Sequence, residues 1–386
     1  MFIKFILNKP YKHIIRGEKQ MDKTFILHIS TITLSAFFAG LSQKFATDKD
    51  GKMKLNKVFL IFSFLILFVM MGFRTVGVGV DDNTYNRIFQ QVINNGPINV
   101  FKANTMEPGY LILNYIISFF TKKFQYALII LTFIPMFLYY KALTYEKKNV
   151  NMFLEFFLFG TIIYLYFYGI IRLFIAASIV AYALRYVSEK STAKYVFMIL
   201  LATTFHYSAF FMLFLIYFST EKENEERDMK SLVFIVLIGM PVIIFFASNY
   251  IFPNMGERYN AYTTVGSFEF SIDLFDKIPI VLVSLFLYKD IKKFNPRIKL
   301  HIVIYSLASV ISIYSTIINI GRIQWYLIFS VCILLPDIAR AVNRSKYRNF
   351  NIILVPLIMI YGILYMYSIY NQTTNICMHE YTNILF

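Results

Sequence analysis

Long apolar runs separated by short basic clusters dominate the chain, and the lengths of those runs set the first expectation. A helix rises 1.5 Å per residue, so about 20 apolar residues cross a hydrocarbon core of about 30 Å. Windows near that length fall at 24–42, 57–73, 125–141, 151–168, 171–187, 231–252, 271–289, 299–318, 321–339 and 349–370. Two stretches fit less well. Residues 109–120 are short for a crossing and suit a re-entrant or tilted helix buried in protein. Residues 195–218 carry His206 near the middle and read either as one long helix or as two half-helices meeting at the histidine. The pattern predicts an all-α polytopic membrane protein of about 10–12 transmembrane helices, one or two segments being re-entrant.

Basic clusters set the orientation. They lie at 44–57, 141–148, 185–194, 222–230, 289–299 and 340–348, and all face the cytoplasm only if both ambiguous segments return to the side they enter from. The domain expectation is then a basic extension at 1–23, one polytopic membrane domain at 24–370 with outward loops at 74–107 and 253–270, and an extracytoplasmic tail at 371–386. The competing layout makes both segments full crossings, which moves two basic loops outward and Arg172 inward. Six Lys or Arg in the first 23 residues oppose either layout, and translation starting at Met21 would remove the conflict.

Composition narrows the classes. The chain is 58% hydrophobic and 16% charged, more apolar than a soluble globule can hide. A net charge of +16 would suggest nucleic acid in a soluble protein, but here the cations sit between apolar runs, so no nucleic-acid partner is expected. The two cysteines, Cys332 and Cys377, fix no framework, and neither a metal-ligand spacing nor a cofactor motif is present. The longest non-membrane stretch, 74–107, is too short for a catalytic domain of its own. An active site must therefore be built from helix ends and outward loops.

The densest polar constellation begins where the second span ends: Arg74, Gly77, Gly79, Asp81, Asp82 and Tyr85. As plain structure, Arg74 anchors the interface, the glycines permit a tight turn, and Asp81 or Asp82 caps a short helix through Tyr85 to Ile93. As a binding site, the glycines let backbone N–H groups approach an anion, Arg74 forks onto its oxygens, and a carboxylate stands close by. Arg172 interrupts an apolar stretch, where a cation is costly without water or a partner, and Arg322 has the same character on an outward turn. Arg258, beside Glu257 in the 253–270 loop, reads as more exposed. His206, in Phe205-His206-Tyr207-Ser208, is either a hydrogen-bonded core residue or a proton acceptor.

In order and spacing these residues resemble the EpsG-type and Wzy-type family of bacterial membrane polysaccharide polymerases, and the resemblance spans most of the chain. Its elements are Arg74, Val76-Gly77, Gly79 to Asp81 and Tyr85; then Glu107-Pro108-Gly109-Tyr110; then Arg172 and Ala176, where Leu173 replaces the family's Gln; then Phe205, His206 and Ser208; and finally Arg322 before Tyr326. The resemblance implies a GT-C-like helical bundle that joins oligosaccharide repeat units carried on undecaprenyl diphosphate. The reaction would take place at the outer face of the cytoplasmic membrane and yield capsular, exopolysaccharide or O-antigen-type polymer. It further implies a metal-independent glycosyltransferase, with Arg74, Arg172, Arg322 and Arg258 on the diphosphate and Tyr85 and Glu107 shaping the sugar pocket. His206, slightly ahead of Asp81, would be the base, and a flippase and chain-length regulators would be partners beside the lipid bilayer. Two other classes stay open: a lipid-linked oligosaccharide flippase, although no repeat is visible, and an O-acyltransferase using His206, which leaves the arginines without a task.

Overall fold

The computed structural model describes residues 18–49, 52–104, 106–146, 151–216, 272–314, 321–371 and 381–385, together with 239 and 250. The expected span at 231–252, the loop at 253–270 with Arg258, and nearly all of the basic extension lie outside the described residues. The regular structure of the described residues is helical, apart from a two-stranded hairpin of Thr47–Lys49 (β1) and Lys52–Lys54 (β2) and one isolated bridge.

Among the described residues, five helices are long and apolar enough to cross a membrane: Lys23–Lys44, Phe124–Leu143, Ile171–Ser188, Gln324–Arg344 and Arg348–Tyr370. Shorter apolar helices, Lys57–Gly72, Met152–Tyr168, Thr192–Phe205 and Ile298–Ser312, complete an all-α polytopic bundle. Burial separates its layers. The Gln324–Arg344 helix is 94% buried over its apolar window, whereas Arg348–Tyr370 is only 22% buried and lies at the periphery.

An apolar surround leaves hydroxyls no water, and the chain answers by turning them onto its own helices. Thr31, Thr33, Ser284, Ser306 and Ser309 each donate to the carbonyl four residues earlier, at 2.6 to 3.0 Å. Helix starts are capped where the chain leaves a loop. Asn56 accepts from the Val58 and Phe59 amides ahead of Lys57–Gly72, and Asn151 accepts from the Leu154 amide ahead of Met152–Leu158.

The two doubtful stretches resolve differently. Pro108–Ser118 is an 11-residue helix, so it spans about 16 Å, half a hydrocarbon core. Residues 195–218 break at His206, whose backbone is extended at φ −156° and ψ 116°. A helix, Thr192–Phe205, precedes the break and a 3-10 stretch, Tyr207–Leu215, follows it, so the two-piece reading is the one observed. The helix that starts at Asp82 breaks at Gly96, which takes φ +74° before Pro97, close to the end expected near Ile93, and a second helical piece carries the chain on to Asn104. The span at 151–168 is not uniform either: its α-helix ends at Leu158, and a π turn (Phe159–Ile163) and a 3-10 stretch (Tyr164–Tyr168) carry the chain onward.

Residues 381–385 return to the start of the loop that follows Lys57–Gly72. Thr75 N–H donates to the Thr382 carbonyl at 2.9 Å and Ile384 N–H to the Phe73 carbonyl at 3.0 Å, forming a short antiparallel bridge between Arg74 and Asn383.

Candidate active site

Four separate parts of the sequence meet around a cavity of about 180 Å³. The loop after Lys57–Gly72 supplies Val80 and Asp81, and the first turn of the next helix supplies Tyr85. Gly169, Ile170, Arg172 and Leu173 come from the start of Ile171–Ser188. His206 comes from the helix break and Arg322 from the 3-10 turn Gly321–Ile323. The space is large enough to hold several waters.

The two adjacent carboxylates have opposite roles. Asp82 is fully buried, and its Oδ1 accepts from Arg74 Nη2 at 2.9 Å. Its Oδ2 accepts from the Gly79 amide at 2.8 Å and the Gly77 amide at 3.3 Å. The glycine turn therefore does cradle an anion, but the anion is the chain's own. Arg74 follows from this. It is wholly buried, donates also to the Met71 carbonyl at 2.9 Å, lies 5.2 Å above the Tyr168 ring and does not line the cavity. The expectation that Arg74 forks onto a bound diphosphate thus meets a guanidinium already occupied by Asp82, because the buried carboxylate needs a counter-charge.

Both glycines are dictated by the backbone. Gly77 has φ +106°, a region that favours glycine, and a Cβ on Gly79 would stand 1.9 Å from the Tyr168 carbonyl oxygen. Gly79→Ala is expected to destabilise the fold by about 1–3 kcal/mol or more, since backbone rather than a flexible side chain must yield. A thermal melt of the detergent-purified protein reads this, and an unchanged midpoint would contradict the close packing.

Asp81 is half-buried and faces the cavity. Burial pushes its carboxyl above the usual value, Arg172 and Arg322 pull it back, and Asp82 adds to the upward push. It is thus within electrostatic reach of both cavity arginines.

Arg172 sits in the first turn of its helix, where unpaired N–H groups already favour anions. Its Nη1 donates to Glu107 Oε2 in a close ion pair, and its guanidinium lies 6.0 Å from the Tyr85 ring centre. Glu107 is buried and does not line the cavity, so the sugar-pocket role expected of it gives way to one of holding Arg172. Close packing fixes that arrangement: a Cβ on Gly109 would lie 2.2 Å from Thr204 Oγ1, so the Pro108–Ser118 helix abuts the end of Thr192–Phe205 two residues before His206.

His206 is held by hydroxyls. Its Nδ1 lies 2.7 Å from Ser208 Oγ and 3.1 Å from Tyr326 Oη, and those two oxygens are 3.0 Å apart. Tyr326 stands one helical turn after the exposed Arg322, so a single short segment carries both a cavity cation and a contact to the imidazole.

The structure thus brings together Asp81, Tyr85, Arg172, His206 and Arg322. It sets Arg74, Gly77, Gly79 and Glu107 behind them as support, and Arg258 lies outside the described residues. Sequence reasoning gave no role to Gln125, whose amide nitrogen donates to the Arg74 carbonyl at 2.7 Å and whose oxygen accepts from the Val76 amide at 3.0 Å. The only sequence signal for it is a polar residue in the first turn of an apolar helix.

No curated protein and no solved structure matches the chain. The model of the EpsG family matches residues 57–383, a range that includes every residue lining the cavity. The chain therefore belongs to the EpsG family, and is a multi-pass membrane protein of the polysaccharide-polymerase type.

Proposed function

We propose that the chain is a glycosyltransferase that joins oligosaccharide repeat units carried on undecaprenyl diphosphate, working at the outer face of the cytoplasmic membrane. The observation that carries this reading is the convergence of two arginines, a carboxylate and a histidine from distant parts of the chain on one cavity. Arg172 and Arg322 hold the diphosphate and offset the charge that develops as it leaves. Arg172 carries the larger share, because water screens the exposed Arg322. An acceptor hydroxyl oxygen attacks the anomeric carbon of the donor sugar. The bond from that carbon to the diphosphate oxygen breaks, the lipid diphosphate departs with the electron pair, and the hydroxyl proton passes to a base.

His206 is the base in this reading. The contacts of Nδ1 with Ser208 and Tyr326 fix the orientation of the ring, and in the tautomer that carries its proton on Nδ1 the basic nitrogen is Nε2. Asp81 orients the acceptor and tempers the charge of the two arginines. A base works only when unprotonated, so the rate falls as pH drops through its titration. In Asp81→Asn the acid limb of the pH–rate profile is expected to persist at a reduced rate; loss of the limb together with activity at background would transfer the role to Asp81.

The reaction itself is tested by reconstituting the purified chain with a short lipid-diphosphate repeat unit, where laddered products are expected. Movement of the labelled lipid across the bilayer without any ladder would instead favour a flippase. Orientation has its own test. Thr84 is exposed, and in a cysteine-free background Thr84→Cys is expected to react with an impermeant thiol reagent on intact cells. Labelling only after lysis would place the cavity on the other side.

A further inference from the structure

The loop that carries Val80 and Asp81 to the cavity has no regular secondary structure of its own, yet four backbone groups at its start, between Phe73 and Val76, are paired by residues far away in the sequence. Phe73 C=O accepts from Ile384 N–H at 3.0 Å, and Thr75 N–H donates to Thr382 C=O at 2.9 Å. The Arg74 carbonyl and the Val76 amide both meet the Gln125 side chain, at 2.7 and 3.0 Å. The segment that bridges to the loop is itself anchored beneath it: Tyr381 Oη donates to Met70 C=O at 2.7 Å, and Asn383 Nδ2 donates to Val69 C=O at 3.2 Å and to Tyr381 Oη at 2.7 Å. None of these groups lines the cavity.

We infer that Gln125 and the 381–385 segment are positioning residues, which act through the loop to hold Asp81 at its place opposite Arg172 and Arg322. A side-chain amide that grips two backbone groups of one loop fixes it at two points. The antiparallel bridge fixes the alternate residues Phe73 and Thr75 from the other side, so the start of the loop is held along both edges of its backbone. Hydrogen bonds that orient a catalytic group without touching substrate act on rate through geometry, and displacements of about 1 Å can lower it about 100-fold. The inference rests on the polymerase reading of the cavity, and the test keeps the two separate.

The experiment uses the full chain in lipid nanodiscs and compares wild type with Gln125→Glu, which keeps the acceptor for Val76 but loses the donor to Arg74. It adds Ile384→Pro, which removes the donor to Phe73, and Thr382→Ala, which keeps the carbonyl used by Thr75. Two quantities are read: hydrogen exchange of the peptide covering residues 73–82, and kcat and KM per folded molecule on a lipid-diphosphate repeat unit. Expected are faster exchange and a kcat about 10- to 100-fold lower in Gln125→Glu and Ile384→Pro, with KM little changed and Thr382→Ala like wild type. Unchanged exchange in both variants would overturn the inference, as would faster exchange with undisturbed kcat, since the contacts would then be structural only. If Gln125→Glu fails to fold, Ile384→Pro decides alone. A wild-type chain that makes no polymer sinks the polymerase reading instead, and the exchange arm still tells whether these contacts order the loop.

Discussion

Replacing His206 by Ala is expected to lower the rate of chain extension by about 100- to 10,000-fold, the usual worth of a general base. The protein should still insert and purify as before. His206 lies at a break between two helical pieces, with an extended backbone that alanine adopts as readily, so the substitution leaves the local fold intact. What is lost is the imidazole and its contacts with Ser208 and Tyr326. Tyr326→Phe is a graded companion: it keeps the ring and removes the hydroxyl, and an effect of about 10- to 100-fold is expected if that contact sets the tautomer. The readout is polymer length and initial rate on a lipid-diphosphate substrate. Wild-type ladders from His206→Ala would remove the histidine from the reaction and leave Asp81 as the base.

The second large effect concerns stability. Arg74→Ala removes the ion-pair partner of Asp82 and leaves a fully buried carboxylate without that counter-charge, which costs about 3–5 kcal/mol. Set against the 5–15 kcal/mol that typically separates folded from unfolded chains, that loss lowers the amount of folded protein sharply. A ligand-binding arginine behaves differently, because its loss weakens substrate affinity and leaves the melt unchanged. The double substitution Arg74→Met with Asp82→Leu is expected to recover only part of the loss. Asp82 also accepts from the Gly77 and Gly79 amides, which the double variant leaves unpaired. Full stability in Arg74→Ala, accompanied by a raised KM, would return Arg74 to the substrate site.

Much of the architecture could be read from apolar spacing, because span length is a local property fixed by bilayer thickness. The short helix at 108–118 and the break at His206 were both visible as departures from that spacing. The site was legible only in part. Asp81 and Asp82 are neighbours of identical chemistry, and which one faces inward depends on where the helix begins and on Arg74 eight residues away. The partnership of Glu107 with Arg172 spans 65 residues and leaves no local trace, since Glu107 alone reads as a residue before a helix-starting proline. Gln125 is subtler still. A single amide at the start of an apolar helix looks like an ordinary interface residue until the loop it grips is brought beside it.

Arg322 and Tyr326 ride on the same turn of chain, the first reaching the cavity and the second touching the imidazole. A tug on one is therefore felt by the other. A substitution that shifts this turn is expected to displace a cavity cation and the hydroxyl beside the imidazole together.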